Sequence, residues 1–385
     1  MLFLFKYAKI NRMTRKIKEN KGKKIATIVT FSILLIIFTA VLCFSSLIEQ
    51  GVRKLLFRHN VLEDNASLRV HFIDVGQGDC IAINLPDGKI MLIDAGSNDY
   101  SKQVNDYLLS NVVNHRASKK LDYVVLTHSD ADHIGGMSKI LTSFKIGTVF
   151  RPAIASTVDD DYGVASCSSS SETYASVITR VKQLKSNGTN VVTSTRGLEI
   201  EGLGYTIQFL SPFTDTYITT NEYSPYILLT CFGKSFLFTG DATKENETEL
   251  MTYESSLSVD VLKVAHHGSS TSTSREFMAY LSPEYAVISV GKDNSFGHPT
   301  SETLANIRSV VDSENILLTS VLNNISFVIG DGYEFSYLTG TIYTTINVNS
   351  ELIIMIAVGV DAICGSIIII TCVRQKATKN GRKKS

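Results

Sequence analysis

The segment Thr127-His128-Ser129-Asp130-Ala131-Asp132-His133-Ile134-Gly135-Gly136 places two imidazoles and two carboxylates within six residues, directly after the apolar run Tyr123-Val124-Val125-Leu126. On an extended or turning segment, His-x-Asp-x-Asp spacing sends several side chains to one side. There they can hold a divalent cation, and the adjacent His133 can reach a second. A solvated turn can gather two acids and a histidine by chance. Four ligand-type residues followed by Gly-Gly at the end of an apolar run favour a metal site over that bland alternative.

Three further clusters match it in kind. Phe238-Thr239-Gly240-Asp241 ends an apolar run with a carboxylate suited to bridging two ions, although alone it reads as an ordinary strand-ending turn. Val264-Ala265-His266-His267-Gly268-Ser269 ends another run with two histidines, and Gly297-His298-Pro299 presents one more on a rigid turn. Of the eight histidines in the chain, only His59, His71 and His115 lie outside these four clusters, and they suffice for ordinary core and surface duties.

These clusters need elements to position them. Runs at Leu68–Asp74, Cys80–Leu85, Ile90–Ile93, Tyr123–Thr127, Tyr205–Leu210, Tyr226–Cys231, Ser235–Thr239, Val259–Val264 and Ala286–Val290 predict strands. Helical patterns fall at Ser101–Val113, Lys244–Thr252, Ser274–Leu281 and Ser301–Val310, and the serine-rich stretch after Cys167 reads as a surface loop. Strands with helices interposed predict a layered α/β core spanning 67–347. Nearly every polar cluster sits where a strand stops, the edge at which such sheets collect ligands.

Two apolar stretches flank this core. Ile25 to Phe44 contains no charge and Leu352 to Val373 contains one, Asp361, so the sequence predicts transmembrane helices over 25–46 and 351–373. The tail 1–24 holds nine Lys/Arg and one acid, and the tail 374–385 six Lys/Arg and no acid. Positive flanks stay in the cytoplasm, which predicts a two-pass cell-membrane protein with basic cytoplasmic tails and an extracytoplasmic domain. Asp361 in mid-span suggests a helix contact, either with the first span or, as self-association, with another copy of the protein. The interior, 25–373, carries 22 basic against 36 acidic side chains. Cys43, Cys364 and Cys372 fall in the spans, and Cys80, Cys167 and Cys231 form no CxxC pair, which excludes a zinc-thiolate site and a dense disulfide framework.

The ordered series His71-Phe72-Ile73-Asp74-Val75-Gly76-Gln77-Gly78-Asp79, Leu92-Ile93-Asp94-Ala95-Gly96, the His128 motif, Thr239-Gly240-Asp241, Asp260 to Ser269 and Gly297-His298-Pro299 resembles metallo-β-lactamase-fold hydrolases. It is most similar to the extracytoplasmic hydrolase domain of bacterial DNA-uptake competence proteins. The resemblance implies a four-layer αβ/βα sandwich holding two divalent metal ions, Zn or Mn. It implies His128, Asp130 and Asp241 as one metal site, and Asp132, His133 and Asp241 with one of His266 and His267 as the other. His267 is the favoured ligand of that pair. It further implies Asp132, His266 and His298 as catalytic contacts, and Asp74, Gln77, Asp79, Asp94 and Ser269 as residues that shape or orient the site.

The chain departs from the broad fold pattern in two places: Asp130 stands where a histidine is usual, and no histidine occurs between His133 and His266. Asn221 and Ser224 stand near the later gap. More oxygen ligands favour harder ions such as Mn²⁺ without excluding Zn²⁺, and they argue against β-lactam or thioester substrates. The expected activity is hydrolysis of a phosphodiester, with DNA outside the membrane as the leading substrate. The acidic interior opposes a polyanion, although Lys263, Arg275, Lys292 and Arg308 lie near the motif segments and can offset it. Alternatives are a cell-envelope polymer, as for phosphorylcholine esterases, and a non-catalytic membrane scaffold.

Overall fold

The computed structural model describes residues 68–113, 119–158, 168–169, 171–330 and 335–339, within the compact unit Asp64–Tyr343. In chain order the strands of its first half are β1 (Leu68–Phe72), β2 (Ile81–Asn84), β3 (Ile90–Ile93), β4 (Lys120–Val125), β5 (Lys145–Arg151), β6 (Ala155–Ser156), β7 (Ser168–Ser169) and β8 (Asn190–Thr193). Those of the second half are β9 (Glu199–Gly202), β10 (Tyr205–Phe209), β11 (Ile227–Cys231), β12 (Lys234–Phe238), β13 (Val261–Lys263), β14 (Tyr285–Ile288), β15 (Ile316–Leu318), β16 (Ile325–Ile329) and β17 (Phe335–Thr339).

Two mixed sheets result. The first has the order β17-β16-β1-β2-β3-β4-β5-β8 and the second β15-β14-β13-β12-β11-β10-β9. In the first, β3, β4, β5 and β8 run parallel, and in the second β12 to β15 do. Strands buried on both faces read as continuous apolar runs rather than alternating ones. In β12, Phe236 and Phe238 pack between the sheets while Leu237 packs outward. In β3, Met91 and Ile93 face the other sheet, and Ile90 and Leu92 face the outer layer. Helices cover both outer faces: Val104, Ile140 and Val177 pack on the first sheet, Leu250, Phe277 and Ile307 on the second. The architecture is therefore the expected αβ/βα sandwich.

The expectation of a transmembrane helix at each end is corrected. No helix among the described residues is long and apolar enough to cross a membrane. The longest, Glu172–Ser186, has 15 residues. At ~1.5 Å per residue it falls short of a ~30 Å hydrocarbon core, and its apolar residues line one face only. The two expected segments, 25–46 and 351–373, lie outside the described residues, and the fold established here is the sandwich alone.

Within the sandwich, the expected helix at Ser101–Val113 is an α-helix over Ser101–Tyr107 continued by a π turn over Leu108–Val112. The serine-rich stretch contributes more than a loop: Ser168–Ser169 pairs with Ala155–Ser156, and Ser171 Oγ accepts the Tyr174 amide to cap the helix that follows. Cys80 and Cys231 are buried free thiols; Cys167 lies outside the described residues.

Candidate metal centre

The parallel strands of both sheets deliver their ends to one edge. Asp94 follows β3, Thr127 and His128 follow β4, Asp241 follows β12, and His266 and His267 follow β13. The turn after β1 is held against them by Gly78, whose backbone lies so close to the Asp132 carbonyl that an added Cβ would sit 2.1 Å from it. Its φ of +137 also suits glycine alone. Asp79 N donates to Asp132 O across this contact (3.2 Å).

Three sets of ligand atoms lie within 4.8 Å of one another: His128, His133 and Asp241; Asp132, His133 and His267; and Asp79, Asp94 and His133. His133 Nε2 lies 3.1 Å from Asp241 Oδ1 and 3.2 Å from His267 Nε2. His267 Nε2 lies 3.3 Å from Asp132 Oδ2. On the other side, His128 Nε2 lies 3.8 Å from Asp130 Oδ2 and 4.0 Å from Asp241 Oδ2. Asp241 is thus the carboxylate common to both flanks.

The partners of the opposite ring nitrogens fix the tautomers. His267 Nδ1 is 2.8 Å from the Ser289 carbonyl, which can only accept, so Nδ1 carries the proton and Nε2 the lone pair. His133 Nδ1 donates likewise to Asp94 Oδ2 (2.8 Å). Thr127 Oγ1 donates to Asp94 Oδ2 (2.6 Å) and so accepts from His128 Nδ1 (3.0 Å). Three imidazoles therefore aim Nε2 lone pairs at carboxylate oxygens and at each other. Lone pairs facing at 3.2 Å repel unless a cation or proton lies between them. His128 Nε2 is buried with no hydrogen-bond partner. Five carboxylates, Asp79, Asp94, Asp130, Asp132 and Asp241, face one ammonium, that of Lys263. This excess of negative charge at a largely buried edge suits divalent ions, and the donor set fits them.

The titration behaviour has the same origin. Burial, reinforced by neighbouring His133, pushes His128 down to about 3. Burial opposes charge on His133 as well, but Asp241 and Asp94 outweigh it and raise this imidazole well above its ordinary value. Burial would raise Asp132 and Asp241; the adjacent His267 and His133 rings overcome it at Asp132, and the field of His133 and His267 does so at Asp241, holding both carboxyls low. Asp130, which is half-exposed and accepts from Thr220 Oγ1 (3.2 Å), is raised by its burial.

The remaining sequence-predicted residues separate into two groups. Asp94 is fully buried, takes a positive φ of 56, and accepts from Thr127 N, Thr127 Oγ1 and His133 Nδ1; it orients two imidazoles. Asp79 pairs with Lys263 (2.5 Å) beneath the cluster. His266 has its Nε2 3.6 Å from Asp241 Oδ2 and a quarter-exposed side chain, so it borders the open side. Ser269 acts through a chain, accepting from Thr271 Oγ1 (3.0 Å), which contacts His266 Nδ1 (3.0 Å). His298 meets His266 edge-on with ring centroids 5.8 Å apart. Gln77 Oε1 accepts the Gly291 amide (3.3 Å), a brace rather than a ligand. Asp74 caps its own turn by accepting from Gly76 N (3.0 Å) and belongs to none of the three ligand sets.

Lys263 departs from expectation. It is fully buried, so it offers no surface charge to a substrate; its Nζ holds Asp79 and the Gly240 carbonyl (3.0 Å) and lies 4.0 Å from Asp241 Oδ1. The signal was present, since a lysine inside the apolar strand Val261-Leu262-Lys263-Val264 needs a buried partner. Ser224 also joins the cluster. Its Oγ accepts the Asp241 amide (3.1 Å) and sits 3.3 Å from His128 Nδ1, so a hydroxyl fills the interval that lacks a histidine. His71 is structural, bonded to Ser326 Oγ, Tyr107 OH and Asn84 Oδ1.

An αβ/βα sandwich with a His/Asp cluster at the shared sheet edge defines a class of metal-binding proteins that are usually metal-dependent hydrolases. The sequence profile of the metallo-beta-lactamase superfamily matches residues 73–292, and the chain belongs to that superfamily, whose members bind divalent metals, usually zinc. Similar proteins include ComE operon protein 3 of Bacillus subtilis, 30% identical over 61% of this chain, and Recombination protein 2 of Haemophilus influenzae, 29% identical over 64%. Competence protein ComA of Neisseria gonorrhoeae is 28% identical over 56%. The matched region makes up 30%, 27% and 26% of those proteins' own lengths. Among solved structures, the metallo-beta-lactamase fold protein YhfI from Bacillus subtilis aligns with a TM-score of 0.42 and 13% identity, over 72% of this chain and all of that one.

Proposed function

We propose that the protein is a metal-dependent phosphodiesterase acting on DNA. The observation that carries this reading is the oxygen-rich flank of the cluster, where His128 is joined by Asp130 and Asp241 and backed by the Ser224 hydroxyl. Carboxylate-rich sites favour hard ions, which in turn favour phosphoryl oxygens. The relatives' own names, competence and recombination proteins, agree with a DNA substrate.

In this reading His128, Asp130 and Asp241 hold one ion, and Asp132, His133, His267 and the shared Asp241 hold the other. When bound, such ions lower the pKa of a coordinated water toward neutrality and offset charge on the phosphoryl group. Asp94 and the Ser289 carbonyl keep the imidazole protons on Nδ1, so that Nε2 stays available. Thr271 Oγ1, which itself donates to Ser269, keeps the His266 proton on Nδ1 in the same way. The His266 Nε2 then faces the substrate side as an acceptor. Burial lowers both His266 and His298, so both are neutral imidazoles at physiological pH, able to bind or pass a proton.

The test is turnover of single- and double-stranded DNA with Mn²⁺ or Zn²⁺, beside a small phosphodiester. Cleavage of DNA that is lost in Asp132→Asn and His267→Ala is expected. Hydrolysis of phosphorylcholine esters without DNA cleavage would reassign the substrate to envelope polymers, and no turnover by the metal-loaded protein would leave a non-catalytic role.

A further inference from the structure

An aromatic ring stands largely exposed at the mouth of the site. Phe296 is 67% exposed, yet its ring stacks on His298, with centroids 5.7 Å apart and planes 25° from parallel. His298 meets His266, and His266 borders Asp241. Three rings thus run continuously from solvent to the carboxylates.

The loop that carries Phe296 is firmly built. Asn294 Nδ2 donates to the Gly291 carbonyl (2.9 Å) and to the His298 carbonyl (2.8 Å), and its Oδ1 accepts the His298 amide (3.0 Å). Gly291 is braced on Gln77, and Thr300 N donates to the Gly268 carbonyl (2.9 Å). One face of an apolar ring is therefore held in water at a fixed place on the rim of the site, although burying such a side chain is favourable.

We propose that Phe296 is a stacking platform for a nucleobase next to the scissile phosphate, so that the substrate is a strand with unpaired bases. The inference rests on the phosphodiesterase reading and deepens it. A flat ring with one free face suits a base, whereas a quaternary ammonium is held by a cage of several rings, and Phe296 gives its other face to His298. Stacking also answers the acidic composition, because it supplies affinity that does not depend on a basic surface and tolerates any base sequence.

The chain contains no tryptophan, so Phe296→Trp installs a single fluorescent reporter at the platform. The full-length, zinc-loaded variant is titrated with a hydrolysis-resistant phosphorothioate oligothymidylate, with an abasic oligomer of the same backbone, and with phosphorylcholine. Quenching by the oligothymidylate alone is expected. Phe296→Ala should weaken oligothymidylate binding roughly tenfold, the scale of one base–aromatic stack, while leaving abasic binding unchanged. Equal quenching by both oligomers, quenching by neither, quenching by phosphorylcholine alone, or unchanged oligothymidylate affinity in Phe296→Ala overturns the platform. Because binding is read without turnover, base-dependent quenching by a protein that cleaves nothing would sink the hydrolase reading alone. Cleavage by a Phe296→Ala protein with undiminished oligothymidylate affinity would sink the platform alone.

Discussion

His133 Nε2 and His267 Nε2 face each other at 3.2 Å, each ring having its proton committed on the far side, to Asp94 and to the Ser289 carbonyl. With both protons committed on the far sides, the two Nε2 atoms can face each other only across a metal ion or, without one, across the extra proton that Asp241 and Asp94 favour on His133. Metal should therefore raise stability by mass action, by about 2.7 kcal/mol at a free concentration one hundred times the dissociation constant. The melting temperature should rise by several degrees with Zn²⁺ or Mn²⁺ and fall with a chelator. A melting temperature indifferent to both would show that the cluster holds no ion.

Asp94→Asn keeps the shape of the fully buried side chain but removes the charge that holds the His133 proton on Nδ1. Loss of such a supporting carboxylate lowers metal affinity by about 10- to 100-fold. Competition with a chromophoric chelator reads this directly, and affinity equal to the parent protein's would deny Asp94 its orienting role.

Lys263→Met leaves the Asp79 carboxylate buried without its ammonium. Breaking one partner of a buried pair costs about 3–5 kcal/mol, whereas replacing both with apolar groups is far milder. Urea unfolding should show Lys263→Met strongly destabilised and Lys263→Met/Asp79→Leu partly recovered. A double variant no more stable than the single one would mean that the pair is not coupled.

His71 gives a pH dependence separate from the metal cluster. Burial, helped by the nearby Arg69 charge, lowers it to about 4, against about 6.5 in an unfolded chain. The folded state therefore prefers the neutral ring. Stability from this group is fully present above pH 6.5 and is lost as the pH falls toward 4, by about 3 kcal/mol in all. His71→Gln cannot titrate, so its stability should fall less steeply than the parent's across that window. Parallel curves by chemical denaturation would contradict the assignment.

Much of the sandwich was legible because strands buried on both faces leave uninterrupted apolar runs. Ile90–Ile93 and the runs ending at Thr127, Thr239 and Val264 were readable for that reason. Other elements left weaker signals. Lys145–Arg151 carries three polar side chains in seven residues, and Glu199–Gly202 sits at a sheet edge where one face is wet. The apolar segments near the termini show the reverse limit: composition named them as spans, but no described helix has the length and apolar character to cross a membrane.

The sequence by itself determined where metal-ligating side chains concentrate, because such residue types at the ends of apolar runs are visible without coordinates. Tertiary structure alone decided how they divide the work. Asp74 and Gln77 sit in the same motif as Asp79, yet only Asp79 reaches the cluster, since side-chain direction at a tight turn depends on backbone angles that residue types do not specify. Likewise the apolar run around Lys263 marks it for burial, but only the packing of two sheets identifies Asp79 as its partner. The pairing of His133 with His267 joins segments 134 residues apart, and such a contact exists only once the sandwich has brought β4 and β13 to a common edge.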